Sequence, residues 1–66
     1  MTVAANIAAR RKALKYKQLY VATILNISQN AYSKIETGQS RITVERLFEI
    51  ADALEVDPAE LLVIKP

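Results

Sequence analysis

Only three residues, Asn26-Ile27-Ser28, separate Leu25 from Gln29, and helical apolar spacing runs on both sides of the gap. Before it, Val21, Ala22 and Leu25 fall at i, i+1 and i+4. After it, Tyr32 and Ile35 fall three apart in a segment whose other positions are mainly amides, hydroxyls and an ammonium. Asn26 suits a left-handed position at a helix C-terminus, and Ser28 is a good N-cap. The spacing predicts one helix from Lys17 or Gln18 to Leu25, a three-residue turn, and a second helix over 29–36.

The rest of the chain fits around that pair. One glycine and two prolines among abundant alanine, leucine and isoleucine argue for helices with short connections, and no alternating run asks to be a strand. Val3, Ile7 and Leu14, with Ala4, Ala8 and Ala13 nearby, predict a first helix over 3–14 whose other face is basic. Thr37-Gly38 stops the 29–36 helix, and Gln39 to Ile42 form a loop. Thr43 caps a fourth helix with a broad apolar face of Val44, Leu47, Phe48, Ile50, Ala51 and Leu54, and Glu45 complements its dipole. Asp57-Pro58-Ala59-Glu60 reads as a cap, a proline at the first helical position and a returning acid, opening a last short helix through Leu61 and Leu62 towards Val63. The expected fold is all-α: five short helices in one domain over 1–66, with its core in 5–62.

Inventory removes several classes of function. With no cysteine and no histidine, a disulfide framework, a zinc site and histidine catalysis are excluded. No candidate base or metal cluster points to an enzyme, and no cofactor is expected. A chain of 66 residues buries only about 60% of its unfolded surface, leaving no room for a substrate cavity. No apolar run approaches the roughly 18 to 20 residues of a membrane span, and the first residues lack the order of a secretory signal, so a soluble, cytoplasmic protein is expected.

Charge is divided along the chain. Residues 1 to 35 carry Arg10, Arg11, Lys12, Lys15, Lys17 and Lys34 with no Asp or Glu, a charge of +6; residues 36 to 66 carry three cations against seven acids, a charge of −4. Such a division suits a basic face towards a polyanion with the acidic half turned away. An ordinary solvated charge distribution is the alternative.

In order and spacing, a set of residues resembles the phage repressor and Cro family of helix-turn-helix DNA-binding domains, the xenobiotic-response-element type. These are Ile7 and Arg11, Gln18, Val21-Ala22, Leu25-Asn26-Ile27-Ser28, Gln29 through Gly38, Leu47, Ile50-Ala51, Leu54, Val56 and Glu60-Leu61-Leu62. The resemblance covers about residues 5 to 62 and implies a lambda-repressor-like bundle with the helix-turn-helix at helices 2 and 3. Three positions depart from the family pattern. Lys17 replaces a Ser or Thr cap, Arg10 replaces an apolar residue, and Glu55 stands where Gly is frequent, at about 1 kcal/mol if the backbone there is left-handed.

The resemblance also implies roles. The 29–36 helix would enter a major groove, with Gln29, Asn30, Ser33 and Lys34 meeting base edges; amides suit adenine, and lysine suits the acceptors of guanine. Plain polar residues on a wet helix are the alternative. Gln18 resembles the family's phosphate-binding glutamine, Lys17 stands beside it, and Gln39, Ser40 and Arg41 resemble a loop that clamps the DNA backbone. For these, a solvated helix start and a plain surface loop are the alternatives. Tyr32 and Ile35 are core residues, with the Tyr32 hydroxyl reaching towards the surface or a phosphate. Glu36, misplaced beside phosphate, would pair with Arg11 as an internal brace. Arg10, Lys12, Lys15 and Lys17 would add a sequence-independent attraction to phosphate.

The expected partner is therefore double-stranded DNA, as a palindromic operator read by a homodimer, with Leu61, Leu62, Val63 and Ile64 as the apolar contact between copies. An antitoxin or protein-interaction module on the same fold is the main alternative. A membrane-surface peptide built on the basic first helix fits poorly with the capped helices that follow it, and no membrane association is expected.

Overall fold

The computed structural model describes residues 2–63 as five helices: α1 (Val3–Ala13), α2 (Gln18–Ile24), α3 (Gln29–Glu36), α4 (Val44–Ala53) and α5 (Pro58–Leu61). The first four end alike. Two residues past the last helical position stand Lys15, Asn26, Gly38 and Glu55, with φ of 61°, 58°, 79° and 58°. The N–H of each bonds to a carbonyl three residues back, and the next residue's N–H bonds five back. The pairs are Lys15 to Lys12 and Tyr16 to Arg11; Asn26 to Thr23 and Ile27 to Ala22; Gly38 to Ile35 and Gln39 to Lys34; Glu55 to Asp52 and Val56 to Ala51. This double main-chain bond satisfies carbonyls that a helix end otherwise leaves open.

Helix starts follow the expected caps. Thr2, Ser28 and Thr43 each accept from the N–H three residues on, at 3.1, 3.0 and 3.1 Å. Asp57 accepts from Ala59 at 2.9 Å, with Pro58 at the first helical position. At α2 the cap position is Lys17, and no side-chain bond is made there.

Most boundaries agree with expectation to within a residue. Leu14 and Leu25 are capping residues just outside α1 and α2, and α5 stops at Leu61 with Leu62 as its cap. The core gathers Ile7, Val21, Ala22, Leu25, Tyr32, Ile35, Leu47, Ile50, Ala51, Leu54 and Leu61. In it α2 packs on α3 and α4, α3 on α1, and α5 on α4 and α1.

Three expectations need correction. The apolar face of α4 is narrower than its composition suggests: Val44 is 73% exposed and Phe48 59%, because only Leu47, Ile50, Ala51 and Leu54 fall on the arc that meets the other helices. Arg10 is not a free cation, since its Nε donates to the Leu54 carbonyl at 3.0 Å and its Nη2 to that of Glu55 at 3.0 Å. It closes the end of α4, where a guanidinium complements the negative pole. The Tyr32 hydroxyl does not reach the surface; it is buried and closes no hydrogen bond among the described residues.

Around Glu36, α1, α2 and α3 meet. Arg11 Nε donates to Glu36 Oε2 at 2.6 Å and Nη2 to Oε1 at 3.0 Å, while Nη1 donates to the Tyr16 carbonyl at 2.8 Å. Gln18 Nε2 donates to Oε1 at 3.0 Å. The side chains of Arg11 and Glu36 are only 11% and 5% exposed. Burial pushes the Glu36 carboxyl up, but the bonds from Arg11 and Gln18 and the neighbouring Tyr32 hydroxyl outweigh it and hold the group below its ordinary range. Tyr32 responds in the opposite sense, its phenol pushed up by burial and by the carboxylate beside it.

Breaking a buried pair by removing one partner leaves an uncompensated charge at about 3 kcal/mol. Arg11→Ala should therefore lower the melting temperature by about 12 °C, and equal melting temperatures would refute the brace. A carboxyl with a depressed folded value contributes stability in full above its unfolded value near 4.3 and loses it as pH falls through the folded value. Urea unfolding as pH falls below about 4.3 should accordingly show a steeper loss for wild type than for Glu36→Gln.

The left-handed Glu55 gives a further prediction. Its carboxylate also accepts from the Tyr16 hydroxyl at 2.5 Å, so Glu55→Gly relieves the backbone but removes that bond. In a Tyr16→Phe background only the relief remains, and Glu55→Gly should raise stability by about 1 kcal/mol. A decrease there would show that the backbone at this position is not strained.

Candidate nucleic-acid interface

The short turn between α2 and α3 depends on Asn26, whose left-handed φ lets Ile27 N–H return to Ala22 while Ser28 caps the next helix. Successive residues on a helix are about 100° apart, so burying Tyr32 and Ile35 fixes what α3 presents outward. Gln29, Asn30 and Lys34 are exposed, and Ser33 between them is half-buried. The four predicted base-reading side chains thus share one face. Thr37, the cap of α3, is exposed on the same arc. In the sequence it stands beside the helix-stopping glycine, and no local pattern announces an outward role for it.

The two edges of that face are built differently. Along one runs Glu36, whose Oε1 holds Gln18 against α3. One amide N–H of Gln18 is thereby committed, and the second N–H and the carbonyl oxygen remain. Lys17, one residue earlier, is exposed and free of a capping bond.

Along the other edge lies an open groove lined by Ile27, Ala31, Ser40, Arg41, Thr43 and Arg46. The 39–41 loop is tied to α3, because the N–H groups of both Gln39 and Ser40 donate to the Lys34 carbonyl, at 2.9 and 3.2 Å. Gln39, Ser40 and Arg41 are exposed. Arg46, which sequence reasoning counted only as a charge, reaches this groove from α4, with Nη1 3.5 Å from the Leu25 carbonyl and 3.3 Å from Glu49. Its spacing of three before Glu49 is that of a helix-surface pair and carries no sign of the groove.

Lys12, Lys15 and Lys17 are exposed and make no ion pair among the described residues. The basic half of the chain therefore divides in two. Arg10 and Arg11 are spent on internal bonds, whereas the lysines face solvent. Among the described residues no helix is long and apolar enough to cross a membrane.

Comparison with known proteins places this geometry. Residues 7–61 match the model of a family described as helix-turn-helix. Over 61 residues the chain is 39% identical to the cryptic phage CTXphi transcriptional repressor RstR of Vibrio cholerae, covering 92% of this chain and 54% of that protein, so it spans about half the length of this curated relative. Among solved structures it resembles the P22 c2 repressor in complex with a synthetic operator, with a TM-score of 0.83, 31% identity and 94% of each chain covered. The restriction-modification controller protein C.AhdI of Aeromonas hydrophila shares the fold, with a TM-score of 0.85 over 91% of each chain at 22% identity. The five-helix bundle with a short four-residue connection, Leu25 to Ser28, between its second and third helices is lambda-repressor-like, and the chain belongs to the helix-turn-helix family.

Proposed function

We propose that this chain binds double-stranded DNA in a sequence-specific manner and regulates transcription, with α3 in the major groove. The observation that carries this reading is the outward face of α3, where Gln29, Asn30, Ser33 and Lys34 lie between two edges of hydrogen-bonding and cationic groups. A major groove is flanked by two phosphate strands, so a base-reading face needs contacts at both edges. Gln18 and Lys17 serve one strand; Gln39, Ser40 and Arg41 serve the other, with Arg46 added to them. Glu36 acts through Gln18, holding the amide where a phosphate oxygen can meet its second N–H. Lys12 supplies non-specific attraction. A repressor as relative and a repressor bound to an operator as structural neighbour support the same reading. Chemistry of this kind needs no catalytic group, and a cytoplasmic regulator rather than an enzyme fits it.

The chain acts as a homodimer on a palindromic operator, as docking of a single recognition helix per half-site favours. The contact is made by Leu62 and Val63, which are 51% and 52% exposed. Leu61 is 2% exposed and belongs to the core, and Ile64 lies outside the described residues.

Selection of bound duplexes from a random pool should return an inverted repeat with half-sites about one helical turn apart. Failure to shift any duplex at low salt would instead support an antitoxin or protein-interaction module. On the selected site, Asn30→Ala should cost about 1 to 3 kcal/mol and relax preference at one base pair. Lys12→Ala and Arg41→Ala should weaken selected and random duplexes alike, each lowering the log–log salt slope by about 0.9. An affinity that stays flat between low and moderate salt would overturn the phosphate assignments.

A further inference from the structure

Neither the core nor the face of α3 uses the outer side of α2. There Leu19 is 57% exposed, Tyr20 49% and Ile24 50%. The Tyr16 ring packs against Tyr20 with centroids 4.7 Å apart and planes tilted by 57°. Tyr16, Leu19, Tyr20 and Thr23 line an open apolar groove, with Lys15 and Lys17 at its edge. Apolar side chains exposed in a cluster, unlike single ones, mark an interaction surface. Glu55 reaches this groove, held by the Tyr16 hydroxyl, and residues 1 to 35 contain no acid.

The same molecule carries the complement. On α4, Val44 and Phe48 form an exposed apolar stripe one turn apart, 73% and 59% exposed. Asp52, Glu45 and Glu49 follow on the same exposed arc, so the stripe has acids along one side. Of these, only Glu49 is partnered among the described residues, by Arg46. An apolar groove with a cationic edge and an apolar helix with an acidic edge match in both shape class and charge, as in the seating of an amphipathic helix.

The geometry points to a second copy of this chain as the occupant: α4 of one molecule seats in the α2 groove of the next. The two surfaces differ, so the contact is head-to-tail and leaves a free groove at one end and a free α4 at the other. It is distinct from the symmetric contact assigned to Leu62 and Val63. Each face is only a turn or two of helix, so the association is weak and appears at high protein concentration. Lys17 belongs both to the groove edge and to the proposed phosphate contacts. Lys15 lies at the edge and outside the proposed specific phosphate contacts, and with no DNA present its charge tests this contact alone.

The test uses two variants at exposed positions, Leu19→Asp in the groove and Phe48→Ser on α4, whose folding is checked first by circular dichroism and thermal melting. Each alone, followed by heteronuclear NMR up to about 1 mM, should lose the concentration-dependent shifts that wild type shows at α2 and α4. Mixed, they should recover one contact. Labelled Leu19→Asp should then shift at α4 when unlabelled Phe48→Ser is added, and labelled Phe48→Ser should shift at α2 in the reciprocal experiment. Lys15→Glu should weaken the wild-type association at least threefold at low salt. Shifts at α4 that persist in Leu19→Asp alone would assign α4 to a symmetric contact and overturn the proposal. Absence of shifts in wild type or in the mixture would overturn it also, leaving the groove to a different protein.

Discussion

A single carboxylate holds the reading end of the molecule together. Glu36 takes two bonds from Arg11 of α1 and one from Gln18 of α2 while standing on the last turn of α3. Apolar packing of Tyr32 and Ile35 can hold α3 against the core, but it resists rotation or sliding only weakly, since apolar contacts have no direction. A forked guanidinium on a carboxylate has one good geometry. Desolvating such a pair can offset most of its attraction, so its value to this fold lies in orientation more than in net stability. The bond from Gln18 makes the same carboxylate the link between the internal brace and the edge of α3.

Arginine and lysine are used differently throughout. Arg10 spans two carbonyls at the end of α4, Arg11 makes three bonds to two partners, and Arg46 approaches both a carbonyl and Glu49. Several donors fixed in one plane make such bridging possible. Lys12, Lys15, Lys17 and Lys34 remain exposed, as strongly hydrated ammonium groups tend to be. The charge excess of the first half is thus smaller at the surface than its sum suggests, and it is carried by lysines.

Much of this was legible in the sequence because local chemistry and global packing agree. Ser28, Thr43 and Asp57 marked helix starts, Asn26 and Gly38 marked stops, and the α3 boundaries followed from Ser28 and Thr37-Gly38. The Arg11 and Glu36 pair came from family resemblance alone, since 25 residues of chain separate partners that no local pattern joins. What stayed hidden depended on tertiary direction. Val44 and Phe48 sit at apolar helical positions, yet a short α4 meets its neighbours over too narrow an arc to cover them. Arg10 read as a surface cation because the carbonyls it closes lie 44 and 45 residues away. Lys15 is left-handed with no residue preference to announce it; the bonds of Lys15 and Tyr16 to α1 impose that conformation.

Those repeated helix ends bear on how such a chain can diverge. The paired bonds that stop α1 to α4 run between main-chain atoms, and the left-handed residue adds a modest conformational penalty for most non-glycine side chains, smaller for Asn. The corners of the bundle therefore constrain side-chain identity less than its core and caps do. Lys15, Asn26 and Glu55 occupy three of these corners, with different charges and one common backbone. Drift at such sites can recolour the surface, changing which molecules the protein attracts, while the angles between its helices are inherited unaltered.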